Sequence, residues 1–399
     1  MANAPAELEQ IRADLDRGLK LIAKKSPDYV KARDMYEGTA AEVIASTALR
    51  KRLNAEAEAH PLGFAHIPVD ACLDKVVLKG ITADGAGKEV LERFYDDADL
   101  DDEADDWHTK AAYFGDYYVI IDPREEDDNG NATALSVAGS SPLTTVMVYS
   151  QRDERSALYG VKRWSEGDGV LRRWHAALYY DDATVLLVTN TGEGESAPAA
   201  ERFAPNLDEE GTAGSERIAH QGDRPLLVHY AVEGKPYGRP LHRKAFGAQD
   251  ALTKINATNL ATVEGQGFPF RFALLDPAAA IDDDLDADFG TDGPDTAVGD
   301  RDGLTGATSG SRVKNEPGTM ALLRGIKSVG QLSEGTPDGA LKNAEFYLRA
   351  MAVITGTPLF EFDLNGVQPS GEARRRAEGR INRRAAKVAR ALGNGHKAL

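Results

Sequence analysis

The sequence predicts an α+β protein, and three observations carry that expectation. An amphipathic stretch opens the chain, with Leu8, Ile11, Leu15, Leu19 and Ile22 recurring at steps of three and four. Short β-rich runs separated by turn residues fill 116–232. Helical periodicity then returns in the last third of the chain.

The elements follow in order. The first apolar stripe predicts a helix over 6–24. Ser26-Pro27-Asp28 has the form of an N-cap with Pro at the first helical position, which predicts a second, short helix over 27–36. Val43, Ile44, Leu49 and Leu53 predict a third helix to about Glu58, ended by Pro61-Leu62-Gly63. Val76, Val77 and Leu78 suggest a strand over 74–82, and two helices should follow at 87–98 and 103–114. Strands are expected at Tyr117 to Asp122, Thr144 to Tyr149, Leu158 to Trp164, Leu171 to Tyr180, Thr184 to Thr189 and Leu226 to Val232, mostly antiparallel. Residues 191–224 read as loop. A long, rather polar helix is expected over 240–264 with Phe246, Leu252, Ile255 and Val263 in a modest apolar stripe. A β-like piece at 319–323 and a helix over 339–355 follow. After a punctuated loop at 356–369, a last helix over 371–393 carries Ile381, Ala385, Val388 and Leu392.

Composition bounds the function. The chain has 399 residues, 42% of them apolar, which is enough for a sizeable core. No apolar run approaches the length of a membrane span, and no membrane association is expected. The first residues run straight into charge, so no signal peptide is expected. The single cysteine, Cys72, excludes an internal disulfide and any all-cysteine metal site, and suggests assembly in a reducing cytoplasm. The net charge of −17 argues against a freestanding nucleic-acid binder, though not against a protein that lets DNA pass without holding it.

Motif chemistry is sparse, and neither a cofactor nor a metal site is expected. Gly85-Ala86-Gly87-Lys88-Glu89 fails as a phosphate loop: Thr82 stands at the first Gly position and Glu89 replaces the magnesium-binding hydroxyl. The eight histidines show no H-E-x-x-H spacing, and no G-x-S-x-G elbow is present. Between Asp282 and Asp302 lie nine aspartates and one arginine. Asp284, Asp286 and Asp288 alternate like calcium-loop ligands, but Phe289 and Asp295 stand where Gly and Glu are needed; a solvated acidic loop is the simpler reading. The last helix carries Arg374, Arg375, Arg376, Arg380, Arg383 and Arg384, for contact with a polyanion or, more simply, pairing with acidic surface on this chain or a neighbour. Helices this poor in apolar surface suit rings or bundles of copies better than a monomer.

Five stretches, in order, resemble the tailed-phage portal proteins, especially those of siphoviruses infecting Gram-positive, including actinobacterial, hosts. They are Met35-Tyr36-Glu37-Gly38, Ala111 to Val119, Pro142 to Tyr149, Tyr237 to Leu241 with Gln249 to Asn256, and Thr355 to Pro358 with Pro369 to Ala373. At the first, Met35 replaces the family's first Tyr; at Arg239-Pro240 the family often has Arg-Ser.

The resemblance implies a non-enzymatic structural protein of the capsid vertex. It implies a homo-oligomeric ring, usually of twelve subunits, through which double-stranded DNA is packaged and ejected. Expected partners are other copies of the chain, the large terminase subunit, the head–tail adaptor, and the major capsid and scaffolding proteins. By the same resemblance, 1–238 would be the wing, 239–266 the first stem helix and 267–337 the clip, holding Asp282, Asp283, Asp284, Asp286 and Asp288. Residues 338–355 would be the second stem helix and 356–370 the tunnel loop, with Asn365, Gly366, Val367 and Gln368 as candidate DNA contacts. Residues 371–399 would be a long wing helix, with the helical crown of relatives short or missing. Phe246, Leu252, Ile255 and Val263 would pack the stem between subunits. Two other readings are an enzyme with a dispersed, metal-dependent acidic site, and another phage head or connector component.

Overall fold

The computed structural model describes residues 5–39, 62–80, 88–126 (except 89, 90, 92, 93 and 97), 132–190, 194–205, 217–220, 223–267 (except 235), 271–275, 320–324, 328–331, 338–362 and 370–399. The expected helix over 40–58, the acidic segment at 282–302 and the loop residues 363–369 lie outside these. The chain divides into two compact units, one of 1–44, 56–253 and 345–399, the other of 45–55 and 254–344.

The first unit is layered. Helix α1 (Pro5–Glu37) lies on a sheet ordered β3-β4-β5-β6-β7, with β8 also pairing β6. These strands are β3 (Thr145–Tyr149), β4 (Ala157–Glu166), β5 (Arg173–Tyr179), β6 (Ala183–Val188), β7 (Ala204–Pro205) and β8 (Arg217–Ala219). A second sheet, ordered β2-β1-β9, comprises β1 (Asp116–Glu126), β2 (Ala132–Ser140) and β9 (Leu227–Ala231). All pairings in both sheets are antiparallel, as the sequence predicts. Helices α2 (Ile67–Leu73) and α3 (Leu100–Phe114) cover the second sheet together with the last helix.

Strand alternation builds the layers. Tyr117 and Val119 of β1 join the helix-covered core, while Tyr118 and Ile120 point the other way, into a core shared with Met147, Ala177, Tyr179 and Leu227. Val146 and Val148 of β3 face α1 and pack with Ile11, Leu15, Leu19 and Ile22, the stripe legible in the sequence. Leu15 has no exposed surface, so truncation to Ala should cost about 2–5 kcal/mol.

Several expectations give way to packing. Helix α1 does not stop at Pro27 but runs through it. A mid-helix Pro removes one backbone bond at a cost of about 3 kcal/mol. Here the deprived carbonyl belongs to exposed Ala23, where water can satisfy it, and the helix beyond buries Tyr29, Ala32 and Met35. Residues 76–80 form no strand; Val77 is 71% exposed, and Val76 N–H closes a turn onto the Leu73 carbonyl at 2.7 Å. Strand β2 and helix α2 are not predicted by the sequence pattern. The long helix α4 starts at Phe246 and runs to Gly267, after a turn of 3₁₀ helix at Arg243–Ala245. The terminal helix is two pieces, α6 (Gly371–Ala377) and α7 (Gly379–Ala398), whose Ile381, Ala385, Val388 and Leu392 are all buried. Before them stands α5 (Asp338–Thr355). In the second unit, β10 (Arg271–Leu275) pairs in parallel with β11 (Met320–Arg324) and antiparallel with β12 (Ser328–Gln331).

Three buried histidines tie this core to pH. His108 Nε2 and His396 Nε2 lie 2.8 Å apart, and Tyr230 Oη is 3.2 Å from His396 Nδ1. His242 Nε2 donates to the Ala32 carbonyl at 2.9 Å. Burial pulls each of the three from 6.5 down to about 4. A depressed histidine binds fewer protons folded than unfolded, so its contribution is complete above about 6.5 and is lost as pH falls toward 4. The melting temperature should therefore fall steadily from neutral pH to pH about 4.5. A His108→Gln/His396→Gln variant should show a flatter slope in the same pH series.

Candidate functional site

The chain crosses itself where β1 begins and where it leaves β9 for α4. Gly115 adopts φ +91°, a left-handed conformation suited to Gly. A side chain there would strike the Arg239 backbone, and a side chain at Gly238 would strike the Gly115 carbonyl. Three backbone bonds stitch the crossing: Val232 N–H to Gly115 O at 2.8 Å, Arg239 N–H to Val232 O at 2.6 Å, and Leu241 N–H to Ala112 O at 2.9 Å.

Asp116 sits at its centre with no exposed surface. Its Oδ1 accepts from His229 Nε2 at 2.8 Å and from Gly238 N–H at 2.5 Å. Its Oδ2 accepts from Tyr29 Oη at 2.5 Å and lies 3.5 Å from Lys25 Nζ. Burial by itself would raise the carboxyl, but the His229 hydrogen bond, the Lys25 charge and the Tyr29 hydrogen bond together hold it at about 2. Because an ionised carboxylate only accepts, His229 Nε2 carries the proton and Nδ1 accepts from Tyr149 Oη at 2.7 Å. Lys25 also lies 3.2 Å from the centre of the Tyr237 ring, and burial lowers its pKa. The Asp–His–Tyr chain has the outline of a relay. Burial, however, pushes the Tyr149 phenol well above its usual range, so it stays protonated and serves as a donor.

A second charged junction lies nearby in the same unit. Arg384 of α7 pairs with Glu233 at 2.8 Å, and donates to the Thr355 carbonyl at 3.2 Å and to the Leu241 carbonyl. A guanidinium at the last carbonyls of α5 is well placed against the helix dipole. It joins the end of α5, the turn after β9 and the approach to α4.

The basic stretch therefore splits. Arg384 points inward, whereas Arg374 pairs with Glu378 at 3.1 Å and Arg376 with Glu372 at 2.5 Å, both along exposed helix. Arg383 donates to the Gly379 carbonyl at 3.2 Å. Among the described residues, Arg375 and Arg380 make no ion pair. Of the apolar residues expected on the long helix, Leu252 is 4% exposed within one chain, and Phe246 and Ile255 are half-buried. The Phe246 ring stands edge-on to His242, 5.0 Å away. Nothing is described for the side chain of Val263. Exposed apolar side chains do lie on α5, where Phe346 is 64% and Val353 65% exposed. Among the described residues, no three His, Cys, Asp or Glu side chains gather as a metal-ligand set.

The sequence reading did not single out Asp116 or His229. A signal existed: an aspartate directly after Gly115 and before Tyr117-Tyr118, at the head of a strand that has to be buried.

A family model described as "phage portal protein, SPP1 Gp6-like" matches residues 22–258, more than half of the chain. The chain belongs to the phage portal proteins. Nothing among the curated proteins matches it. The matched region of this portal protein holds Lys25, Tyr29, Asp116, His229 and Gly238, so the whole Asp116 cluster falls inside it. The family is a structural phage protein rather than an enzyme family.

The crossing makes sharp demands. Gly238→Ala should lower thermal stability by several degrees, since its Cβ meets the Gly115 carbonyl and the backbone must shift. Asp116→Asn should cost about 3 kcal/mol or more in chemical denaturation, because Lys25 and its neighbours lose a buried counter-charge. Unchanged unfolding midpoints in both variants would show that the crossing is not a stability determinant.

Proposed function

We propose that this portal protein works as a closed homo-oligomeric ring of about twelve copies. The ring is the conduit for packaging and ejecting double-stranded DNA at the capsid vertex. The observation that carries the reading is the two-sided apolar character of α5. Leu348, Met351, Ala352 and Thr355 are buried within the protomer, while Phe346, Val353 and Ile354 stand exposed on the same helix. A helix that is apolar on both sides is built to be covered twice, once by its own chain and once by another. Leu252 is already buried in the protomer, so Phe346 and Val353 replace it as proposed contacts between neighbouring stem helices, and Phe246, Ile255 and Val263 remain proposed packing residues of the stem.

The remaining assignments follow the family resemblance. The wing, stem, clip, tunnel-loop and wing-helix boundaries are those given above. The acidic 282–302 segment belongs to the clip, which meets the large terminase subunit and later the head–tail adaptor. Residues 365–368 belong to the tunnel loop as candidate DNA contacts. The ring is assembled in the host cytoplasm, with the major capsid and scaffolding proteins around it, and resides in the virion. A net charge of −17 suits a conduit: duplex DNA carries one charge per ~1.7 Å, and an acidic lining lets it slide where a basic one would hold it.

Negative-stain electron microscopy with mass by light scattering tests the proposal. Rings with a central hole are the expected result, and a monomer or dimer at every concentration would count against it. Phe346→Asp/Val353→Asp should abolish rings while leaving the monomer's melting temperature within a few degrees. Asn365→Ala/Gln368→Ala should leave rings intact and reduce DNA packaging; full packaging by that variant would remove the tunnel-loop assignment.

A further inference from the structure

The ring reading leaves open what pairs one wing with the next, and α1 and α3 carry complementary halves of an answer. Arg17, Lys20 and Lys24 of α1 line one side of an open pocket of about 470 Å³, faced by Tyr149, Tyr237 and Glu154. All three cations are exposed. Lys20 has an exposed partner in Asp16 at 2.6 Å, and Lys24 has no ion pair among the described residues. The first half of α3 is the reverse. Asp99, Asp102, Glu103, Asp105 and Asp106 are all exposed, and Asp102 and Asp105 have no ion pair among the described residues. Both features belong to the same compact unit, and among the described residues no ion pair joins the α1 cations to the α3 carboxylates. A patch and its complement at different places on one protomer make a heterologous contact, and a heterologous contact that closes makes a ring.

The spacing also fits. Arg17, Lys20 and Lys24 stand three and four residues apart, as do Asp99, Asp102 and Asp106. On an α-helix Arg17, Lys20 and Lys24 repeat at ~4.5 and ~6 Å along the axis, and Asp102 and Asp106 share the ~6 Å step, with Asp99 just before α3 in a left-handed conformation. A short acidic helix suits this pocket better than a nucleic-acid duplex. Three cations beside a carboxylate, on a chain of net charge −17, offer few of the phosphate contacts that duplex binding needs.

We infer that the basic pocket of α1 receives the acidic first half of α3 from a second copy of this chain, so that each wing is completed by its neighbour. The inference rests on the ring reading, and its test separates the two. The unaltered full chain is compared with Lys20→Glu/Lys24→Glu, with Asp102→Lys/Asp105→Lys, and with the chain carrying all four changes. Circular dichroism checks the fold, and light scattering with microscopy reads assembly. Each reversal should raise the concentration for half-assembly by about tenfold, and the combined variant should recover most of it. Assembly of the unaltered chain should weaken between about 0.1 M and about 1 M salt, as the screening length shrinks from ~10 to ~3 Å. If net repulsion between acidic subunits governed instead, salt would strengthen assembly.

Rings from both reversal variants at unaltered concentrations would overturn this pairing and leave the ring reading standing. So would failure of the combined variant to recover. Normal rings that lose retention of duplex DNA would identify the pocket as a polyanion site and equally overturn it. If the unaltered chain forms no rings under any condition, both readings fall.

Discussion

The fold depends on one buried carboxylate. Asp116 cannot remain ionised without solvent unless donors converge on it, and those donors come from three separated stretches: Lys25 and Tyr29 on α1, His229 on β9, and the Gly238 N–H. Each stretch belongs to a different layer or connection of the first unit. Satisfying the carboxylate therefore fixes how α1 lies against the second sheet and where the chain leaves that sheet. Apolar cores tolerate sliding and repacking; a buried charge with four specified partners does not.

The two glycines are the steric counterpart of this electrostatic constraint. Asp116 can draw the Gly238 N–H to 2.5 Å only because neither Gly115 nor Gly238 carries a Cβ at the crossing. Charge and shape thus act together, and either alone would leave the path toward α4 loose. Arg384 then secures the far side by holding the Leu241 and Thr355 carbonyls and pairing with Glu233. An anion on one side and a cation on the other frame the segment through which the sheets connect to the long helix.

What was legible in the sequence was what repeats. The stripe of α1, the six β-rich runs and the stripe of α7 emerged from periodicity because each buries one face against a neighbour. What failed depended on partners distant in sequence. Pro27 looks like a helix boundary until packing of Tyr29, Ala32 and Met35 outweighs the lost bond. Val76 and Val77 look like strand residues, but no neighbouring strand pairs with them among the described residues. Strand β2 is rich in Ala, Ser and Gly, so its propensity is weak; pairing with β1 over eight registered positions makes it a strand. The apolar stripe expected on the long helix meets a related limit at Leu252. Periodicity marks a buried face but cannot say whether this chain or another buries it, and Leu252 is taken up within the protomer.

The Asp116 cluster shows why family resemblance reached further here than motif chemistry. No catalytic signature marks Asp116; its four partners hold the path of the chain. The two stretches that most resemble portal proteins around it, Ala111 to Val119 and Tyr237 to Leu241, are more than a hundred residues apart in the chain. In the fold they are the two chain segments of a single crossing, joined through Asp116, Gly115 and Gly238. Neither stretch is meaningful alone: a Gly-Asp pair needs the second glycine's N–H, and the second glycine needs the first to lack a side chain. Their co-occurrence is one three-dimensional constraint written in two places. That is why ordered fragments, each weak, identified a portal protein where single-site chemistry found nothing to identify.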